Sequence, residues 1–171
     1  MSASLYLAQI MIVAAALAAV AAAVPEARLQ PIRRWQLLLP AGLAALACVA
    51  EIVHPSLEEL GQPAVWLVAV AAAVVGVARG HFLRLEVDQV WNVIRLRRAR
   101  EGLWLAVVLA LLAIAEAVEV ARAAPDATDL VFRPLVEFGM ALVAGFMVGR
   151  AGAAWLRIPD VPHTELIDPQ S

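Results

Sequence analysis

The stretch 103-LWLAVVLALLAIAEAVEVA-121 decides the architecture. It holds no basic residue, no Gly and no Pro, and its first polar side chain is Glu116. As a helix it would run about 28 Å at 1.5 Å per residue, close to the thickness of a bilayer's hydrocarbon core. Four more apolar stretches of similar character lie along the chain, so the reading is an all-α integral membrane protein with five transmembrane helices. The expected spans are 5–24, 35–54, 63–83, 103–121 and 134–156, with an interfacial segment over 84–101 and a polar tail over 157–171. Backbone groups inside a bilayer must find partners within the segment, which leaves helices as the form for runs of this length.

Composition agrees. Of the 171 residues 63% are hydrophobic and 16% charged, too little polar surface for a water-soluble bundle of this size. One cysteine, Cys48, excludes an internal disulfide and a CxxC redox pair. It reads as a small buried side chain.

All 13 basic residues are arginines, and their placement gives a direction. Arg28, Arg33 and Arg34 follow the first span, and Arg79, Arg84, Arg95, Arg97, Arg98 and Arg100 separate the third from the fourth. Arg150 and Arg157 close the fifth, whereas Arg122 and Arg133 stand alone on the other side. An N-terminus outside and a C-terminus in the cytoplasm put eleven of the thirteen inside, in a bacterial cytoplasmic (inner) membrane. A cleavable signal peptide competes for the first span, through the small residues of 18-AAVAAAVPEA-27. The absence of a basic residue before that span favours a retained helix.

The chain also resembles itself. The second span ends in 50-AEIVH-54 and the fourth in 115-AEAVE-119; the third ends in 75-VGVARGHFLRL-85 and the fifth in 148-VGRAGAAWLRI-158. Copies two spans apart point the same way through the membrane. This predicts one leading helix followed by two tandem helical hairpins in parallel repeat. Gly76 and Gly80 in the third span, and Gly145, Gly149 and Gly152 in the fifth, are the expected helix-packing surfaces, because close approach drives helix association in lipid.

Between the halves, 82-FLRLEVDQVWNVIRLRRARE-101 carries two patterns. Leu83, Leu85 and Val87 alternate with Arg84, Glu86 and Asp88 as a strand would. Leu83, Val87, Val90 and Ile94 also recur at helical spacing, as in an amphipathic helix lying in the interface. In either form Arg95, Arg97, Arg98 and Arg100 are the candidates to face the phosphates of anionic lipid at the cytoplasmic surface. Nucleic acid is not an expected partner of a segment pressed against a membrane.

Counting depth along each span places Glu51, His54, Glu116, Glu119 and Glu137 at one height, in the outer half of the bilayer. Ionisable groups there are costly and face a bundle interior, a partner or a cavity. An E-x-x-H helix beside an E-x-x-E helix, with a fifth ligand from a third helix, is the kind of donor set that holds a metal. With one histidine at that depth, a single Zn, Mn or Fe is favoured over a di-iron pair. A structural polar network and a proton- or solute-handling site are the alternatives. A bis-histidine haem within one chain is disfavoured, because His54 and His81 lie at opposite faces and His163 in the tail. No nucleotide-loop, zinc-peptidase, serine-nucleophile or c-haem motif occurs, and no catalytic residue is assigned.

The junction 76-GVARGHFLRLEVD-88, through Gly76, Arg79, Gly80, Arg84, Val87 and Asp88, resembles the CcdC-like small bacterial membrane proteins. The resemblance covers residues 63–120 and implies a loose association with cytochrome c biogenesis, but carries over no catalytic residue. The expected function is a small accessory subunit or assembly factor of a larger membrane complex, such as an electron-transfer or photosynthetic one. A metal-binding or redox protein using the acidic layer, and a small proton-coupled transporter, are the alternatives.

Overall fold

A computed structural model describes residues 3–52, 63–97, 100–122 and 133–166. It contains five long helices: α1 (Ala3–Ala27), α2 (Leu39–Ile52), α3 (Pro63–His81), α4 (Glu101–Arg122) and α5 (Arg133–Arg157). All five, α2 together with the 3-10 turn before it (Arg34–Leu37), are long and apolar enough to cross a membrane. Proline begins three of them, as Pro63 at the first position of α3, and Pro40 and Pro134 at the second of α2 and α5. The first turn of a helix has no use for the N–H that proline lacks. α1 ends in a Schellman turn: Gln30 N donates to the Pro25 carbonyl and Leu29 N to that of Glu26. Leu29 takes the left-handed conformation that the turn requires (φ 58°).

Four helices close a ring. α1 packs against α2 and α4, and α5 packs against the same two from the opposite side. Its core is made largely of small residues, among them Ala16, Ala19, Ala44, Ala47, Ala106, Ala113 and Ala141, filled out by Ile12, Leu109 and Met140. The fifth helix, α3, stands outside this ring and packs extensively against α5 alone.

The α3–α5 seam explains the glycines. A Cβ on Gly76 would collide with the Phe146 carbonyl, one on Gly145 with that of Ala69 and one on Gly149 with that of Ala73, while Gly80 abuts Arg150 and Ala153. Laying 148–158 over 75–85 turns the Gly76–Phe146 contact into the Gly149–Ala73 contact, so the two copies meet through equivalent positions. Gly152, grouped with this surface in the sequence, is not part of it: a Cβ there would meet nothing within 4 Å. The seam follows an i, i+4 row, Gly145, Gly149 and Ala153, and that row passes Gly152 by.

At the other end of α3 the alternating pattern wins over the helical one. Strands β2 (Arg84–Asp88) and β3 (Val93–Arg97) form an antiparallel hairpin, and β1 (Ile32–Arg33), from the α1–α2 connection, pairs with β3. The three-stranded order is β1-β3-β2. The interfacial amphipathic helix therefore does not form over these residues; Val90, which it would have placed on its apolar face, and the neighbouring Trp91 sit exposed at the hairpin turn. One sheet face, with Ile32, Val87, Ile94 and Leu96, covers the bundle end through Leu37, Leu83, Ala154 and Ile158. Trp35, Phe82 and Trp104 are exposed around the same end, where aromatic side chains suit the depth of lipid headgroups.

Candidate functional site

Two polar layers lie at opposite ends of the helices. At the sheet end, Arg150 of α5 is 3% exposed and contacts the equally buried Glu26 of α1 through a guanidinium–carboxylate bond. Its Nε reaches Glu101 at the start of α4 at 3.1 Å, and the other Glu101 oxygen accepts from Arg79 of α3 at 2.9 Å. The chain Glu26–Arg150–Glu101–Arg79 thus ties four helices together. Gly102 makes room for it, since a Cβ there would lie 3.2 Å from the Arg150 guanidinium and 3.3 Å from the Glu26 carboxylate. The arginine count that orients the chain treats Arg79 and Arg150 as markers only, and neither Glu26 nor Glu101 stands out in the sequence. The available signal was a carboxylate and an arginine at the same height on helices that both end there.

The opposite layer is the one expected from the sequence. Glu51 and Glu116, which occupy matching positions in the repeat, are fully enclosed where α2 and α4 pack into the ring. Glu119 and Glu137 are half-buried at the same end. None of the four is without a partner. Gln9 of α1, also buried at that end, adds an amide with no signal in the sequence pattern. His54 lies outside the described residues. Among the described residues, no three His, Cys, Asp or Glu side chains come close enough to hold a metal ion. Glu51 and Glu116 are thus interior groups of the ring, with Glu119 and Glu137 nearer its surface.

The arginines of the sheet, Arg33, Arg84, Arg95 and Arg97, share the face opposite its apolar one. Arg97 pairs with Glu86 at 2.6 Å and Arg95 approaches the same carboxylate at 3.9 Å, so two of the expected lipid-facing residues are partly engaged by the sheet itself. Arg100 is exposed, and Arg98 lies outside the described residues.

The tail after α5 returns to the hairpin. Thr164 N donates to the Val87 carbonyl at 2.8 Å, and Leu166 N to Asp88 Oδ2 at 3.1 Å. Asp88 Oδ1 accepts from the Val90 and Trp91 amides at 3.0 and 3.1 Å, which shapes the turn. Burial opposes the charge on Asp88, but the donors Leu166, Trp91 and Val90, with His163 nearby, outweigh it and hold the carboxyl below its ordinary range.

No family model, no curated protein and no solved structure matches the chain.

Proposed function

We propose that this small membrane protein is an accessory subunit or assembly factor of a larger complex in the bacterial cytoplasmic membrane, with its N-terminus outside and its sheet and tail in the cytoplasm. The attachment of α3 carries the reading. It is held along one side by α5, and its other faces leave Trp66, Leu67, Val70, Val74 and Val75 uncovered. An apolar groove of about 240 Å³ runs between α3 and α2 over Gly145, and another of about 330 Å³ lies on the far side of the seam beside Leu142 and Phe146. A transmembrane helix of a partner fits such a shoulder better than a flat lipid boundary does, because helices in lipid associate by close packing.

The resemblance to CcdC-like proteins would place that partner in cytochrome c maturation. Here its residues have structural work: Gly76 and Gly80 pack on α5, Arg79 pairs with Glu101, Val87 is in the sheet core and Asp88 shapes the turn. An electron-transfer or photosynthetic complex fits the same shoulder. Photo-crosslinking in native membranes tests the subunit reading. A crosslinker at Val74 should give one discrete protein adduct, and one at Leu111 on the outer side of α4 none. Equal labelling at both positions, or none at either, would sink it.

A second reading rests on Glu51 and Glu116, two carboxylates buried at matching repeat positions, as a proton-coupled carrier needs or as ligands for one Zn, Mn or Fe with His54. Metal analysis of protein purified without added metal, and proton uptake by proteoliposomes with and without Glu51→Gln, separate these from the subunit reading. A metal-free protein with no uptake removes both.

A further inference from the structure

The geometry points to a binding site for the phosphate of an anionic phospholipid in the cleft between the end of α3, the start of β2 and the turn after α5, with Arg84 as its principal contact. The cleft has a volume of about 620 Å³ and is lined by His81, Phe82, Arg84, Arg97, Arg157 and Asp160 among others. β2 is an edge strand of the sheet, and the tail that covers its Val87 leaves the start of the strand open to this space.

The charges in the cleft are unequally satisfied. Arg84 and Arg97 are direct cross-strand partners, so two guanidinium groups stand side by side on one face. Like charges in that position are destabilising unless something neutralises them. Glu86 takes Arg97 at 2.6 Å. The Arg84 side chain is exposed and has neither an ion pair nor a hydrogen bond among the described residues. The negative end of the α3 dipole would repel an anion, but Arg157 caps it by donating to the carbonyls of Gly80 and Leu83 at 3.0 and 3.1 Å. Asp160 is the remaining carboxylate of the cleft, which Arg84, Arg157 and His81 also line. A phosphate therefore completes an arrangement that the protein leaves one anion short.

The surroundings select a lipid over a soluble phosphate. Phe82, 78% exposed, stands on the rim at the level where Trp35 and Trp104 are also exposed. Below it, Val70, Val74 and Val77 form an uncovered apolar row on α3 that leads from the bilayer to His81. An acyl chain lying on that row brings its headgroup to Arg84. The headgroup contact at Arg84 differs from the arginine run that the sequence marks as lipid-facing and stands without the subunit reading, while the acyl row shares Val70 and Val74 with the shoulder of that reading.

Native mass spectrometry of the full chain in mild detergent tests the site, titrated separately with phosphatidylglycerol, phosphatidylcholine and glycerol 3-phosphate. One phosphatidylglycerol should bind in preference to the other two. Arg84→Gln should weaken it about tenfold, the scale of one charge-assisted contact. Arg28→Gln, which removes an exposed charge at the same end outside the cleft, should leave it unchanged. Glu86→Gln, which releases Arg97, should tighten it. Equal binding of phosphatidylcholine, equal losses in the Arg28 and Arg84 variants, or weaker binding in the Glu86 variant overturns the assignment. Glycerol 3-phosphate binding as tightly as the lipid overturns its lipid half. The Arg84 side chain makes no polar contact among the described residues, so its variant should melt with the parent protein; if it does not, the direction of the change in the Glu86 variant settles the assignment by itself.

Discussion

Arg157, in the last turn of α5, donates through Nη1 to the Gly80 carbonyl at 3.0 Å and so caps a helix that is not its own. The same nitrogen holds the Leu83 carbonyl where α3 gives way to β2. Gly80 is the glycine of the α3–α5 seam nearest in sequence to β2, so the contact fixes how the hairpin leaves the membrane. Arg157→Met should cost about 1.5–3 kcal/mol, the worth of hydrogen bonds to a charged donor. Chemical denaturation in detergent measures it, and hydrogen exchange should show faster loss of protection over 84–97 than over α1.

The Glu26–Arg150 pair makes a sharper demand. Both side chains are 4% exposed, so Arg150→Met leaves a carboxylate buried without its partner and should destabilise by about 3–5 kcal/mol. Adding Glu26→Gln to that variant should recover a large part of the loss, because the stranded charge is gone. Thermal unfolding of the two variants decides the matter: a double variant no more stable than the single one contradicts the assignment.

Two glycines three residues apart should behave oppositely. Gly149→Val drives a side chain into the Ala73 carbonyl and should separate α3 from α5, read as loss of a disulfide crosslink engineered across the seam. Gly152→Ala faces open space and should stabilise by up to about 1 kcal/mol through helix propensity alone.

The tail contact should be sensitive to acid. Because the carboxyl of Asp88 titrates below its ordinary value of 3.8 in the folded protein, its contribution is complete above that value and is lost as pH falls through the lower folded one. An acid-stable protease should leave residues 158–166 intact at pH 5 and cut them at a pH well below 3.8. Asp88→Asn should expose them at both. Cutting at pH 5 in the parent protein would contradict the docked tail.

The five spans were legible because a bilayer accepts few solutions: about 20 apolar residues with satisfied backbone groups read as a helix whatever their order. Their ends were less so. The fifth helix runs from Arg133 to Arg157 against an expected 134–156, and the 3-10 turn over Arg34–Leu37 takes the first part of the second span. Gly76, Gly80, Gly145 and Gly149 could be read as packing residues since only small side chains allow backbones so close, but the row they follow needs the crossing of two helices to be known. The polar chain at the sheet end stayed hidden for a different reason. Arg150 looks like any charge at the end of a span until Glu26, separated from it by most of the chain, is brought against it. In the opposite layer, Glu51 and Glu116 were found by depth, but depth alone does not say which neighbours they meet.

The position of α5 at the centre of the contacts has a consequence for biosynthesis. α3 leaves the ribosome well before the helix that holds it, a delay of several seconds at roughly 5–20 residues per second. For that interval α3 is an apolar helix without the helix it packs against, and β1 waits likewise for β3. α5, made after the other four, closes the ring and collects α3 in one step. A chain stopped before α5 is thus a set of inserted but unassembled helices, a natural client for a membrane quality-control protease.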